Sequence, residues 1–155
     1  MPYNIYVASS WKNPLQPELV QLLREHGHEV YDFRNPKEGE TGFNWSMVDP
    51  SWEDWTVNEF AAHLQDPLCR KNFTFDYSAL QKCDVVVLLL PSGNDAHSEA
   101  AWAKGASKVT IIHCPWKLDF SPGLMYKMHN ALTSVDSQLL RLLELDPKTL
   151  SSKKL

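Results

Sequence analysis

The sequence predicts an α/β fold on a doubly wound, five-stranded parallel sheet. Two observations predict it. Apolar runs of strand length recur at 4–8, 29–33, 85–90, 108–113 and 131–134, and segments of helical character lie between the first four, at 14–26, 57–66, 67–82 and 95–106. Strand, helix, strand in succession demands crossover connections, which pair strands in parallel and cover both sheet faces.

Each element has its own local reason. Residues 4–8 read as a buried strand. Leu15, Leu19, Leu22 and Leu23 form a helical stripe, and Gly27 stands where a helix needs a C′ residue. Residues 34–56 break the pattern with Pro36, Gly39, Gly42 and Pro50 among Phe43, Trp45, Trp52 and Trp55, so a loop is expected, with a short helix near Ser51. Residues 57–66 look helical. Pro67 starts a helix to about Lys82, with a break expected near Asn72 and a new N-cap at Thr74. Val85 to Leu90 is apolar without interruption, the mark of a strand covered on both faces. Asp95 is the expected cap of the next helix. Residues 114–130 read as irregular apart from a helical turn at 124–126. A terminal helix over 135–145 completes a single domain at 1–146, and 147–155 is expected to fray.

Composition excludes several classes. With 155 residues and 43% hydrophobic content, one sizeable core is expected. The net charge is −4, so duplex nucleic acid is not an expected partner. No apolar run approaches the length of a membrane span. Three widely spaced cysteines form no disulfide framework and point to a reducing, cytoplasmic setting. No HExxH or Cys/His cluster occurs, so neither a metal nor a cofactor is expected.

The chemistry concentrates after the 85–90 strand. Pro91, Ser92 and Gly93 make a turn, and Glu99 follows early in a helix rich in alanine. An ionised acid there stands at the carboxyl edge of a parallel sheet, where open α/β folds bind ligands. Helix dipoles favour its charged form, and a charged carboxylate suits attack on a sugar carbon. The bland reading is an ordinary dipole-stabilising acid. Asp76 reads as a second acid at a helix start, able to assist a leaving group. Ser9 and Ser10 follow the first strand and suit phosphate or sugar hydroxyls, or a plain turn. Asp32 ends the second strand and suits a ribose hydroxyl. Phe43 and Trp45 suit base stacking, or a satellite cluster or subunit interface.

Tyr6-Val-Ala-Ser-Ser10, Asp76 and Pro91-Ser-Gly-Asn-Asp-Ala-His-Ser-Glu99-Ala-Ala-Trp-Ala103 together resemble the nucleoside 2-deoxyribosyltransferase-like family over roughly the first 115 residues. Tyr31-Asp-Phe-Arg-Asn-Pro36 adds to the likeness. The resemblance implies a flavodoxin-like, three-layer fold and cleavage or transfer at the N-glycosidic bond of a nucleoside or nucleotide. It implies Glu99 as nucleophile, Asp76 as an acid helping the base leave, and Tyr6 as a positioning tyrosine. Ser92, Gly93 and His97 are then expected around the substrate. Family members commonly form homo-oligomers, and Met125 in the 124–126 segment is the candidate contribution to a partner's pocket. Gly93 stands where the family often has Asp or Ser, Ala101 where it has glycine, and the Trp-rich segment replaces a shorter connection. Two alternatives share the chemistry or the fold: a phosphoribohydrolase of the lysine-decarboxylase-like type, and a non-catalytic nucleotide-binding module.

Overall fold

A computed structural model describes residues 2–115 and 121–155. Five parallel strands form one sheet in the order β2-β1-β3-β4-β5: β1 Asn4–Ala8, β2 Glu29–Tyr31, β3 Val85–Leu89, β4 Val109–His113 and β5 Ala131–Thr133. This is the flavodoxin-like order, and every strand lies within the span its apolar run predicts. The helices are α1 Gln16–Glu25, α2 Val57–His63, α3 Pro67–Lys82, α4 Asn94–Gly105, α5 Asp136–Leu143 and α6 Pro147–Ser152. The part of the expected irregular stretch at 116–120 lies outside the described residues.

The chain divides into two compact units, residues 1–32 with 80–155, and residues 33–79. The first holds the sheet. Strand residues alternate between its faces. Tyr3, Ile5, Val7, Val85, Val87, Leu89 and Ile111 pack on one face with Leu19, Val20 and Leu23 of α1, Leu139 and Leu143 of α5, and Leu150 of α6. Tyr6, Val86 and Leu88 therefore point to the other face, where α4 packs on β1, β3 and β4. Buried Ala96, Ala100 and Ala103 let α4 lie close to the sheet.

Helix ends follow local chemistry. α1 ends at Gly27 with φ +86, and His28 N–H donates to Leu23 O while Gly27 N–H donates to Arg24 O, a Schellman pair. α4 ends the same way at Ser107, whose φ of +63 is adopted without glycine.

Three expectations are corrected. The helix over 67–82 is unbroken: Asn72 Nδ2 and Thr74 Oγ1 donate back to Leu68 O and Arg70 O, so Thr74 lies inside the helix rather than capping a new one. Residues 147–152 do not fray. Asp146 caps α6 through Thr149 N–H, Pro147 fills the first turn, and Leu150 is fully buried. The α4 cap is Gly93, not Asp95, so the helix starts earlier than read.

In the second unit the 3₁₀ turns Trp45–Met47 and Trp52–Asp54 precede α2, which opens on a capping box between Thr56 and Glu59. Lys71 pairs with Glu40 at 2.6 Å. Among the described residues, no helix is long and apolar enough to cross a membrane.

Candidate functional site

The topological switch lies between β1 and β3, whose connections leave the sheet toward opposite faces. The loops after their carboxyl ends are tied together. Ser9 Oγ donates to Leu89 O at 3.0 Å, and the buried Asn13 Nδ2 donates to Pro91 O at 3.2 Å. Asn13 Oδ1 also accepts from Leu15 N–H, fixing the entry to α1. Gln16 Nε2 donates to Asp32 Oδ1 at 2.8 Å, both residues being buried. Ser10 closes a turn, its Oγ accepting from Lys12 N–H and its carbonyl from Asn13 N–H. Here Ser10 has the plain-turn geometry, and Ser9 works as a loop staple.

After β3 the chain turns at Pro91 and Ser92 into α4. Gly93 caps it, and an added Cβ there would meet nothing within 4 Å, so the approach to the helix start is open. His97 Nδ1 lies 2.8 Å from Gly93 O, which needs a proton on that nitrogen. In the neutral ring Nε2 is then an acceptor, and Tyr126 O–H donates to it at 2.7 Å. The two rings stack with centroids 5.8 Å apart. Ser92 Oγ sits 3.4 Å from His97 Nδ1. Burial pushes the Tyr126 phenol above its ordinary value, with a further push from Cys114. Ser92, His97 and Tyr126, with Leu90, Pro91 and residues 121–123, line a cavity of about 380 Å³.

Behind Tyr126, His129 is buried and its Nδ1 meets Thr110 Oγ1 at 2.9 Å. Burial holds this imidazole below its ordinary value, with Lys104 and His97 adding to the depression. Lys104 Nζ donates to Asn130 Oδ1.

Glu99 is half-buried on α4, three residues beyond Ala96 and four before Ala103 on the stripe facing the sheet. It therefore borders the face that Tyr6 also occupies. Tyr6 is fully buried and stacks on Tyr31 at 5.1 Å. Because α4 begins at Asn94, Glu99 lies in its second turn, past the first turn where the expected helix-dipole effect is strongest. Glu99 is not among the residues lining the His97 cavity. Met125 is 67% exposed in the 3₁₀ turn Leu124–Met128.

Asp76, expected at a helix start, lies deep in the body of α3 and is half-buried. Within the 33–79 unit, Phe43 and Trp45 pack edge-to-face at 4.8 Å, Trp45 meets Trp55 and Phe60, and Trp55 stacks on His63 at 4.2 Å. Trp55 Nε1–H donates to Asp49. Hydrogen bonds from Ser51 N–H and Trp55 hold that carboxyl below the usual range. Phe43 and Trp45 are thus parts of a half-buried aromatic cluster. Among the described residues, no group of three or more His, Cys, Asp or Glu side chains is arranged to hold a metal.

Asn13 and Gln16 are site-building residues that the sequence did not single out, and Tyr126, in the 124–126 segment expected to serve a partner's pocket, meets His97 of its own chain. Asn13 before Pro14 carried a turn signal; the Tyr126 contact spans a distance in sequence that no local pattern reveals.

No protein-family model and no curated protein matches the chain. Compared by structure, it is similar to a 2-deoxyribosyltransferase from Bacillus psychrosaccharolyticus, with a TM-score of 0.57 and 21% identity over 97% of this chain and 98% of that one. The two share a fold. A CMP N-glycosidase from Clostridium botulinum aligns at a TM-score of 0.49 and 18% identity, over 91% of this chain and 98% of that one. The resemblance carried by the sequence motifs and the likeness found by structure meet in the same architecture.

Proposed function

We propose that this protein cleaves, or transfers at, the N-glycosidic bond of a nucleoside or nucleotide, with Glu99 as nucleophile. The observation that carries the reading is a half-buried carboxylate on the helix that leaves β3 at the switch point, bordering the sheet-facing stripe. The fold shared with a 2-deoxyribosyltransferase supports it, as do the motifs around Tyr6 and Glu99.

In this mechanism the bond from the anomeric carbon to the base nitrogen breaks, and its electron pair leaves with the base. Positive charge grows on the sugar ring, and the Glu99 carboxylate stabilises it and then bonds to the anomeric carbon. Water, or the nitrogen of a second base, attacks that carbon and returns the carboxylate, with net retention. Tyr6, packed against Tyr31 on the same sheet face, holds the nucleophile's surroundings rigid. Ser92, Gly93 and His97 bind the substrate at the open start of α4, while Ser9, Ser10 and Asp32 shape the loops beside it. Asp76 is the proposed proton donor to the leaving base, a role whose signature is a larger loss with poor leaving bases than with good ones.

The test is incubation with a panel of nucleosides and nucleoside monophosphates, followed by chromatography for free base. Adding a second base separates transfer from hydrolysis. Glu99→Gln is expected to lower turnover on the order of 10³-fold or more with the fold intact by circular dichroism. Asp76→Asn is expected to spare substrates whose base leaves readily.

A further inference from the structure

The β5 edge lies away from the switch point and has its own construction. β5 pairs with β4 on one side and ends the strand order on the other. A groove of about 660 Å³ runs along it, between α5 and residues 153–155. Its wall is apolar at Leu142 and Leu145, and Leu132 on β5 is 43% exposed. Its cations are Arg141, Lys153 and Lys154, and among the described residues no carboxylate side chain lines it, in a chain of net charge −4.

The groove is also held in shape. Buried Asn130, just before β5, donates through Nδ2 to Ser151 O at 3.1 Å and Lys153 O at 3.0 Å. Its Oδ1 accepts from Thr110 N–H and Lys104 Nζ. Leu155 N–H donates to His129 O, and Lys127 Nζ donates to Leu155 O. One side chain therefore fixes the far wall against the sheet, so a ligand meets a preformed groove.

We propose that this groove docks an acidic, extended peptide segment of a partner protein, which adds beside β5 as a further strand. An edge strand offers main-chain donors and acceptors to such a segment, and pockets beside it read alternate side chains. Leu142 and Leu145 take the apolar side chains; Arg141, Lys153 and Lys154 meet the carboxylates. β5 has three residues, so the ladder is short and charge supplies much of the attraction. No aromatic ring lines the groove among the described residues, which disfavours single-stranded nucleic acid.

The experiment is fluorescence anisotropy on the full chain at low salt. The probes are a labelled peptide of alternating Glu and Val, its Lys and Val counterpart, the Glu and Val peptide with a central Pro, and a single-stranded thymidine oligonucleotide. Saturable binding is expected for the first probe alone. Arg141→Glu with Lys153→Glu is expected to weaken it about tenfold or more, as is added salt. Amide shifts on binding are expected at 131–133. Absence of saturable binding, an unchanged affinity in the charge-reversed variant, equal binding of the Pro peptide, shifts confined elsewhere, or binding of the oligonucleotide in place of the peptide would each overturn the proposal.

Discussion

His97 has its proton placed by the carbonyl beside it. Because Gly93 O takes the Nδ1 hydrogen, Nε2 is left to accept from Tyr126, and the helix start is clasped to the 124–128 turn. Tyr126→Phe removes one hydrogen bond and little volume, so it is expected to lower stability by about 1 kcal/mol, read from the urea midpoint. Because His97 and Ser92 are proposed to bind substrate, the same substitution is expected to raise KM more than it lowers kcat. His28 and His129 act on stability in the same sense as a paired acid, through burial rather than pairing. Burial holds both below the ordinary 6.5, so the unfolded chain binds more protons in the interval between the two values. Their stabilisation is complete above pH 6.5 and drains away as pH falls toward the folded values. Urea midpoints are expected to fall below about pH 6.5, with a shallower slope in His28→Gln. A midpoint that rises on acidification would contradict this.

Elements show where local signals prevail and where they lose. The Gly27 stop of α1 was legible because only a positive φ closes that pair of hydrogen bonds, and glycine adopts it freely. Ser107 uses the same geometry at the end of α4 without glycine, hidden from a reader of the sequence. Ser107→Gly is expected to raise stability by about 0.5–1 kcal/mol. The α6 helix had its signals, Asp146 then Pro147, but terminal position argued for fraying; packing decided otherwise. Leu150→Ala is expected to cost about 2–4 kcal/mol in thermal or urea unfolding, whereas a loose tail would lose nothing. Asn72 and Thr74 looked like a helix break because their side chains compete for backbone, yet in α3 that competition goes to the preceding turn.

At the scale of the whole molecule, parallel pairing was legible because alternating strands and helices leave no other connection, and the unbroken apolar run of β3 placed it inside the sheet. The aromatic residues of the 43–60 segment left base stacking and a satellite cluster equally open in the sequence, since edge-to-face contacts follow no strand or helix period; in the fold they pack on one another. Of the candidate site, the turn and helix that carry Ser92, His97 and Glu99 were legible and the family resemblance gave those residues their proposed roles, while Asn13 and Gln16 enter through buried amides and the Tyr126 contact with His97 joins residues distant in sequence. The proposed chemistry requires an oxygen of Glu99 to bond to the anomeric carbon of a nucleoside or nucleotide. Mass spectrometry of the protein quenched in acid during turnover tests it most directly. A sugar adduct is expected on the peptide bearing Glu99, lost in Glu99→Gln together with release of free base; base release that persists at the same rate in Glu99→Gln, with no adduct in the parent protein, would remove Glu99 from the reaction.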